Sequence, residues 1–66
     1  MNNYIWLRHD SFGTIEVFSS QRKALSNISL PEFKEVDKYG TIFFYETQRD
    51  QEEHKWEVKI QRQRIK

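Results

Sequence analysis

The sequence predicts an α+β domain: an antiparallel sheet of about five strands, ordered β-β-α-β-β-β, with one short helix on one face. Three observations predict it: a turn motif that occurs twice, stretches of period-two alternation flanking both copies, and one helix-like segment between them. The turn is Asp10-Ser11-Phe12-Gly13-Thr14-Ile15, echoed 27 residues later as Asp37-Lys38-Tyr39-Gly40-Thr41-Ile42. Asp at the first position of a type I turn caps the turn with its own carboxylate, and Gly at the fourth accepts a left-handed backbone. Such a turn is a standard short hairpin connection, so both copies are expected at hairpin tips with Phe12 and Tyr39 near the exposed ends.

The flanks agree. Tyr4 to His9 is apolar and β-prone, and in Thr14 to Phe18 the apolar Ile15 and Val17 alternate with Thr14 and Glu16. Thr41 to Thr47 is apolar on both faces at its centre, which predicts a central strand covered on each side. Trp56, Val58 and Ile60 alternate with Glu57 and Lys59 to give the last strand. Beyond Ile60 the alternation breaks, because Arg62 and Arg64 take the positions in line with Trp56. That break predicts either a bulge or a strand end that leaves the core.

The helix is expected after Ser19 or Ser20, either of which can cap it, with Ala24, Leu25 and Ile28 on one face. A competing reading starts a second helix at Ser29, where Ser29-Leu30-Pro31-Glu32 has the form of a capping box, with Phe33, Val36 and Tyr39 as its face. The repeated turn at Asp37 favours a strand there instead. Arg49 to Glu53 is predicted to be a polar loop.

Sixty-six residues make a single domain, 1–66. A chain of this size buries only about 60% of the surface its unfolded form exposes, so its stability is marginal without help. Without cysteine there is no disulfide framework and no thiolate metal site. A homodimer is therefore the expected source of further stability. No apolar run reaches signal-peptide or membrane-spanning length, so the expected location is the cytoplasm, with no membrane partner.

Little in the sequence points to catalysis. His9 and His54 are the only imidazoles, and His54 with Glu52 and Glu53 lies on consecutive loop positions that do not converge on an ion. The serines read as caps and turn residues, and neither glycine belongs to a phosphate-cradling loop. The expectation is a binding protein with no enzyme activity, cofactor or metal.

Two surfaces compete as the binding site. Tyr4, Trp6, Phe18, Phe33, Phe43, Phe44, Tyr45 and Trp56 lie in or beside strands, more aromatic surface than one short helix covers. The excess predicts a protein-binding face or edge strand, with Trp6, Tyr45 and Trp56 as anchors. The alternative is a nucleic-acid interface. Residues 1–54 carry six Lys/Arg against nine Asp/Glu, whereas residues 55–66 carry Lys55, Lys59, Arg62, Arg64 and Lys66 against Glu57 alone. Basic side chains around Trp56 suit phosphates and a stacked base. The same alternation also protects an edge strand from sticking to other edges.

Trp6 to Leu25 resembles a pattern found in small accessory proteins of bacteriophages and other mobile elements. In that pattern an aromatic strand and a Gly turn precede a strand ending Val17-Phe18-Ser19-Ser20 and a helix opening with Lys23-Ala24. The resemblance covers about a third of the chain and implies a compact protein that grips and modulates, or inhibits, a host protein.

Overall fold

The computed structural model describes residues 3–65. Its elements are β1 (Tyr4–Asp10), β2 (Ile15–Phe18), α1 (Gln21–Ala24), β3 (Phe33–Val36), β4 (Ile42–Tyr45), α2 (Gln48–Glu52) and β5 (Val58–Arg64). The five strands form one sheet in the order β2-β1-β5-β4-β3, with every neighbouring pair antiparallel. The predicted α+β class and the β-β-α-β-β-β order therefore hold, with one helix added.

Both repeated turns close by the same bonds. Asp10 Oδ1 accepts from the backbone N–H groups of Phe12 and Thr14, and Asp37 Oδ1 from those of Tyr39 and Thr41, all at 2.9 Å. The glycine N–H groups donate back to the aspartate carbonyls, at 3.3 Å for Gly13 and 3.1 Å for Gly40. Their φ angles, +93° and +84°, lie where a side chain is strained. With the aspartate N–H donating to the threonine carbonyl at 3.0 Å, two backbone–backbone and two side-chain bonds at each turn make two hairpins, β1–β2 and β3–β4, from local chemistry alone. Phe12 is 92% and Tyr39 69% exposed at their tips.

β5 joins the hairpins. Its Ile60 lies opposite Arg8 of β1 on one side and Ile42 of β4 on the other. The last strand is thus the sheet's middle strand: its residues 58–60 pair on both sides, whereas 61–64 pair with β1 alone, so edge protection fails as a reading of Lys59 and still fits Arg62 and Arg64. β4 is an interior strand between β5 and β3, and it buries Ile42 and Phe44 on one face and Tyr45 on the other, as expected of a strand covered on each side. Segment 29–40 resolves in favour of a strand, β3, since its residues pair with β4 from Phe33↔Tyr45 to Val36↔Ile42.

Alternation sorts the side chains. Ile42, Phe44, Val58 and Ile60 point to one face and form the core with Ala24 of α1, while Trp6, Phe18, Leu25 and Leu30 pack around them. Ser20 caps α1, its Oγ accepting from Lys23 N at 3.2 Å. The helix stops sooner than expected, and Ile28 lies outside it, 37% exposed. Two interactions end it. Ser26 Oγ donates to the Lys23 carbonyl at 2.8 Å, and Asn27 turns left-handed at φ +57°.

Arg8 then holds the helix end to the sheet. Its Nη1 donates to the carbonyls of Ala24 (2.9 Å) and Ser26 (3.2 Å), its Nη2 to Glu16 Oε1 (3.0 Å), and its guanidinium lies 4.6 Å from the Phe18 ring centre. A cation at a helix C-terminus satisfies carbonyls that lack intrahelical partners.

The predicted polar loop at 49–53 is a helix of one turn. Thr47 Oγ1 accepts from Asp50 N at 3.0 Å, which caps α2, and Arg49 Nε pairs with Glu53 Oε2 at 3.2 Å. No residue of α2 is buried, so there was no apolar periodicity to announce it. Past Ile60, β5 keeps its register to Tyr4↔Arg64 without a bulge. Of the two readings offered for that break, the strand end outrunning the core is the one observed.

The glycines give a direct test of the turns. A Cβ at Gly13 or Gly40 would meet no atom within 4 Å, so Gly13→Ala and Gly40→Ala add backbone strain without a clash. Each is expected to cost about 1 kcal/mol, read as a lower urea midpoint. Unchanged midpoints would show that the turns relax freely.

Candidate functional site: an aromatic cleft on the open face

The face opposite α1 carries Ile5, Leu7 and His9 of β1, Ile15 and Val17 of β2, Phe43 and Tyr45 of β4, and Lys59 and Gln61 of β5. Part of it is bare. Ile15 and Val17 are 56% and 62% exposed, although they sit in the sheet.

Towards β3 the open face deepens into a cleft of about 350 Å³ lined by Glu35, Asp37, Phe43, Tyr45, His54 and Trp56. Local chain chemistry builds each wall. Glu35 lies opposite Phe43 in the β3–β4 pairing, and two residues on, Asp37 is fixed by its turn. The far wall comes from the return of the chain out of α2. His54 takes φ +57°, the chain bends at Glu57, and the Glu57 N–H donates to the Phe44 carbonyl at 2.8 Å. Trp56 is thereby turned onto the open face, where its ring stands 6.5 Å from Phe43 at an interplanar angle of 55°. Alternation alone aligns Trp56 with Val58 and Ile60. The bend before β5 reverses it.

Tyr45 is 2% exposed, and its hydroxyl donates to Glu35 Oε1 at 3.2 Å. Burial raises the phenol pKa above its usual range, and the Glu35 hydrogen bond and charge reinforce the rise. The ring therefore stays neutral and its donor bond stays made. A second cavity of about 310 Å³ adjoins the first, shares Asp37 and Phe43 with it, and adds Tyr39, Thr41, Lys59, Gln61 and Arg62.

Of the three anchors expected from sequence, Tyr45 and Trp56 come together in the cleft, and Trp6 does not. Trp6 lies on the other face, against the core. Phe43, Glu35, Asp37 and His54 complete the cleft unforeseen. Phe43 was within reach of the sequence, because alternation along β4 aligns it with Tyr45. Glu35 was not, because its placement depends on the β3–β4 register.

The basic segment is dispersed. Lys55 Nζ pairs with Glu53 Oε1 at 3.2 Å, and Lys59 Nζ lies over the Trp56 ring at 5.2 Å on the open face. Arg62 and Arg64 follow the alternation of Ile60, and the Arg62 guanidinium covers the Tyr4 ring at 4.4 Å. Lys66 lies outside the described residues. Among the described residues, no helix is long and apolar enough to cross a membrane.

No protein-family model, curated protein or solved structure matches this chain.

His9 provides a pH handle on the open face. It is paired across the sheet with Ile15 and Lys59, and its buried Nε2 has no hydrogen-bond partner among the described residues. Burial, then the Lys59 charge, lower its pKa, opposed by a hydrogen bond that the protonated ring donates to the Gln61 side chain. The unfolded chain therefore takes up the proton first. This contribution to stability is complete above the ordinary imidazole value of about 6.5 and is lost as pH falls below it. The urea midpoint is expected to decline from about pH 7 to about pH 5, and less so in His9→Gln. Equal slopes for the two proteins would remove His9 as the cause.

Proposed function

We propose that this chain is a non-enzymatic binding domain that grips a protein partner with its open face, the cleft of Phe43, Tyr45 and Trp56 at the centre. The observation that carries the reading is the cleft itself. Three rings line a concavity at the β3–β4 end of the face opposite α1, and the exposed Ile15 and Val17 lie on the β2 edge of the same face. Trp and Tyr in a preformed concave site are the usual anchors of a protein interface. Phe43 and Tyr45, held by β4, and Trp56, packed 6.5 Å from the Phe43 ring, lose little freedom on binding, which lowers the ordering cost of the complex. The resemblance of Trp6 to Leu25 to mobile-element accessory proteins supports the same class: a small protein acting in the host cytoplasm by gripping and modulating a host protein.

Affinity capture from a bacterial extract tests this, using the wild type, Trp56→Ala and a control, Phe12→Ser, altered at the first hairpin tip. A partner is expected on the wild type and on the control. Trp56→Ala, if still folded by circular dichroism, should lose about 2 kcal/mol, or about 30-fold in affinity. The same proteins retained equally by all three would overturn the reading. Sedimentation of the wild type alone distinguishes a second copy of the chain as the occupant of the face.

A further inference from the structure

We propose that the cleft of Phe43, Tyr45 and Trp56 receives a cationic side chain, arginine or lysine, from the protein partner. The inference rests on the binding-face reading above and names the chemistry that the face selects.

Charge is the first argument. The cleft is lined by the carboxylates of Glu35 and Asp37 and the imidazole of His54, and among the described residues no Lys or Arg lines it. The adjoining cavity has the opposite balance, with Lys59 and Arg62 against Asp37. Lys59 reaches the Trp56 ring at 5.2 Å from the adjoining cavity, and the lining of the cleft itself carries the two carboxylates.

The second argument is hydrogen-bonding capacity. The bonds formed by the two carboxylates fall on one oxygen each. Glu35 Oε1 accepts from the Tyr45 hydroxyl, and Asp37 Oδ1 accepts from the Tyr39 and Thr41 N–H groups. Among the described residues, Glu35 Oε2 and Asp37 Oδ2 accept no hydrogen bond and remain to accept from a ligand. Carboxylates beside aromatic walls are poorly matched to an apolar guest, which would strip their water and return nothing. A guanidinium or ammonium returns charge-assisted hydrogen bonds.

The rings make the third argument. The negative face of an indole attracts a cation, and Trp56 already holds one, the Lys59 ammonium, at 5.2 Å. The same ring borders the anionic cleft, where three aromatic side chains meet two carboxylates. A cleft of about 350 Å³ lies within the roughly 300–1,000 Å³ of sites that enclose small ligands.

The test is a titration of the full ¹⁵N-labelled chain with N-acetyl-arginine amide, followed at the two indole N–H resonances. N-acetyl-citrulline amide serves as the neutral isostere and N-acetyl-norleucine amide as the apolar one. The arginine probe should shift Trp56 saturably in the millimolar range and leave Trp6 unmoved. Citrulline and norleucine amides should bind at least about tenfold more weakly, about 1.4 kcal/mol. Glu35→Gln keeps an acceptor for Tyr45 and Asp37→Asn keeps the turn, so both should fold while weakening the arginine probe severalfold.

Equal binding of the norleucine or citrulline amide would overturn the cationic specificity and leave the binding face standing. An arginine shift indifferent to both variants would overturn the role of the carboxylates. No shift at Trp56 with any probe would overturn the proposal, and the capture experiment would then decide the binding face separately.

Discussion

Everything in this molecule depends on β5 lying between the two hairpins. The β1–β2 and β3–β4 hairpins pair only through that strand. Ile60, fully buried, faces a β1 residue on one side and a β4 residue on the other, and Val58 sits one repeat away with Phe44 opposite. The core is therefore shared across a strand, not within a hairpin. Hairpins on their own are marginal in water, and three or more strands with one covered face are needed for stability.

The central position also accounts for the composition of β5. Only its first half lies in the core formed with α1, and there the inward residues are Val58 and Ile60. Beyond that half the inward positions become Arg62 and Arg64. Ring contact takes over from burial, as with Arg62 on Tyr4. A segment that reads as a basic strip is, in the fold, a strand whose charges are distributed over two faces. Arg8 does related work inside the sheet, tying α1, β2 and β1 together through one guanidinium.

Some of this was legible in the sequence. The two aspartate turns were, because every bond in them is made within five residues. The helix cap at Ser20 was as well. Sheet order was not, since alternation says which residues share a face and nothing about which strands are neighbours. Helix α2 escaped because it rests on Thr47 and local ion pairs, without an apolar stripe. The cleft was half legible. Tyr45 and Trp56 were singled out as anchors, but the bend at Glu57 that brings Trp56 to them is a tertiary event, and it leaves Trp6 on the opposite face. Arg8 carried no signal, as nothing in a lone strand arginine announces a helix end sixteen residues away.

The place of β5 also sets synthesis and folding out of step. A ribosome delivers both hairpins before the strand that unites them. Until residues 58–64 emerge, each hairpin waits with an inner edge unpaired and half a core unmatched, a template open to any passing strand. Closure is then one late, non-local event in which a single strand zips against two partners, and such topologies fold slowly for their size.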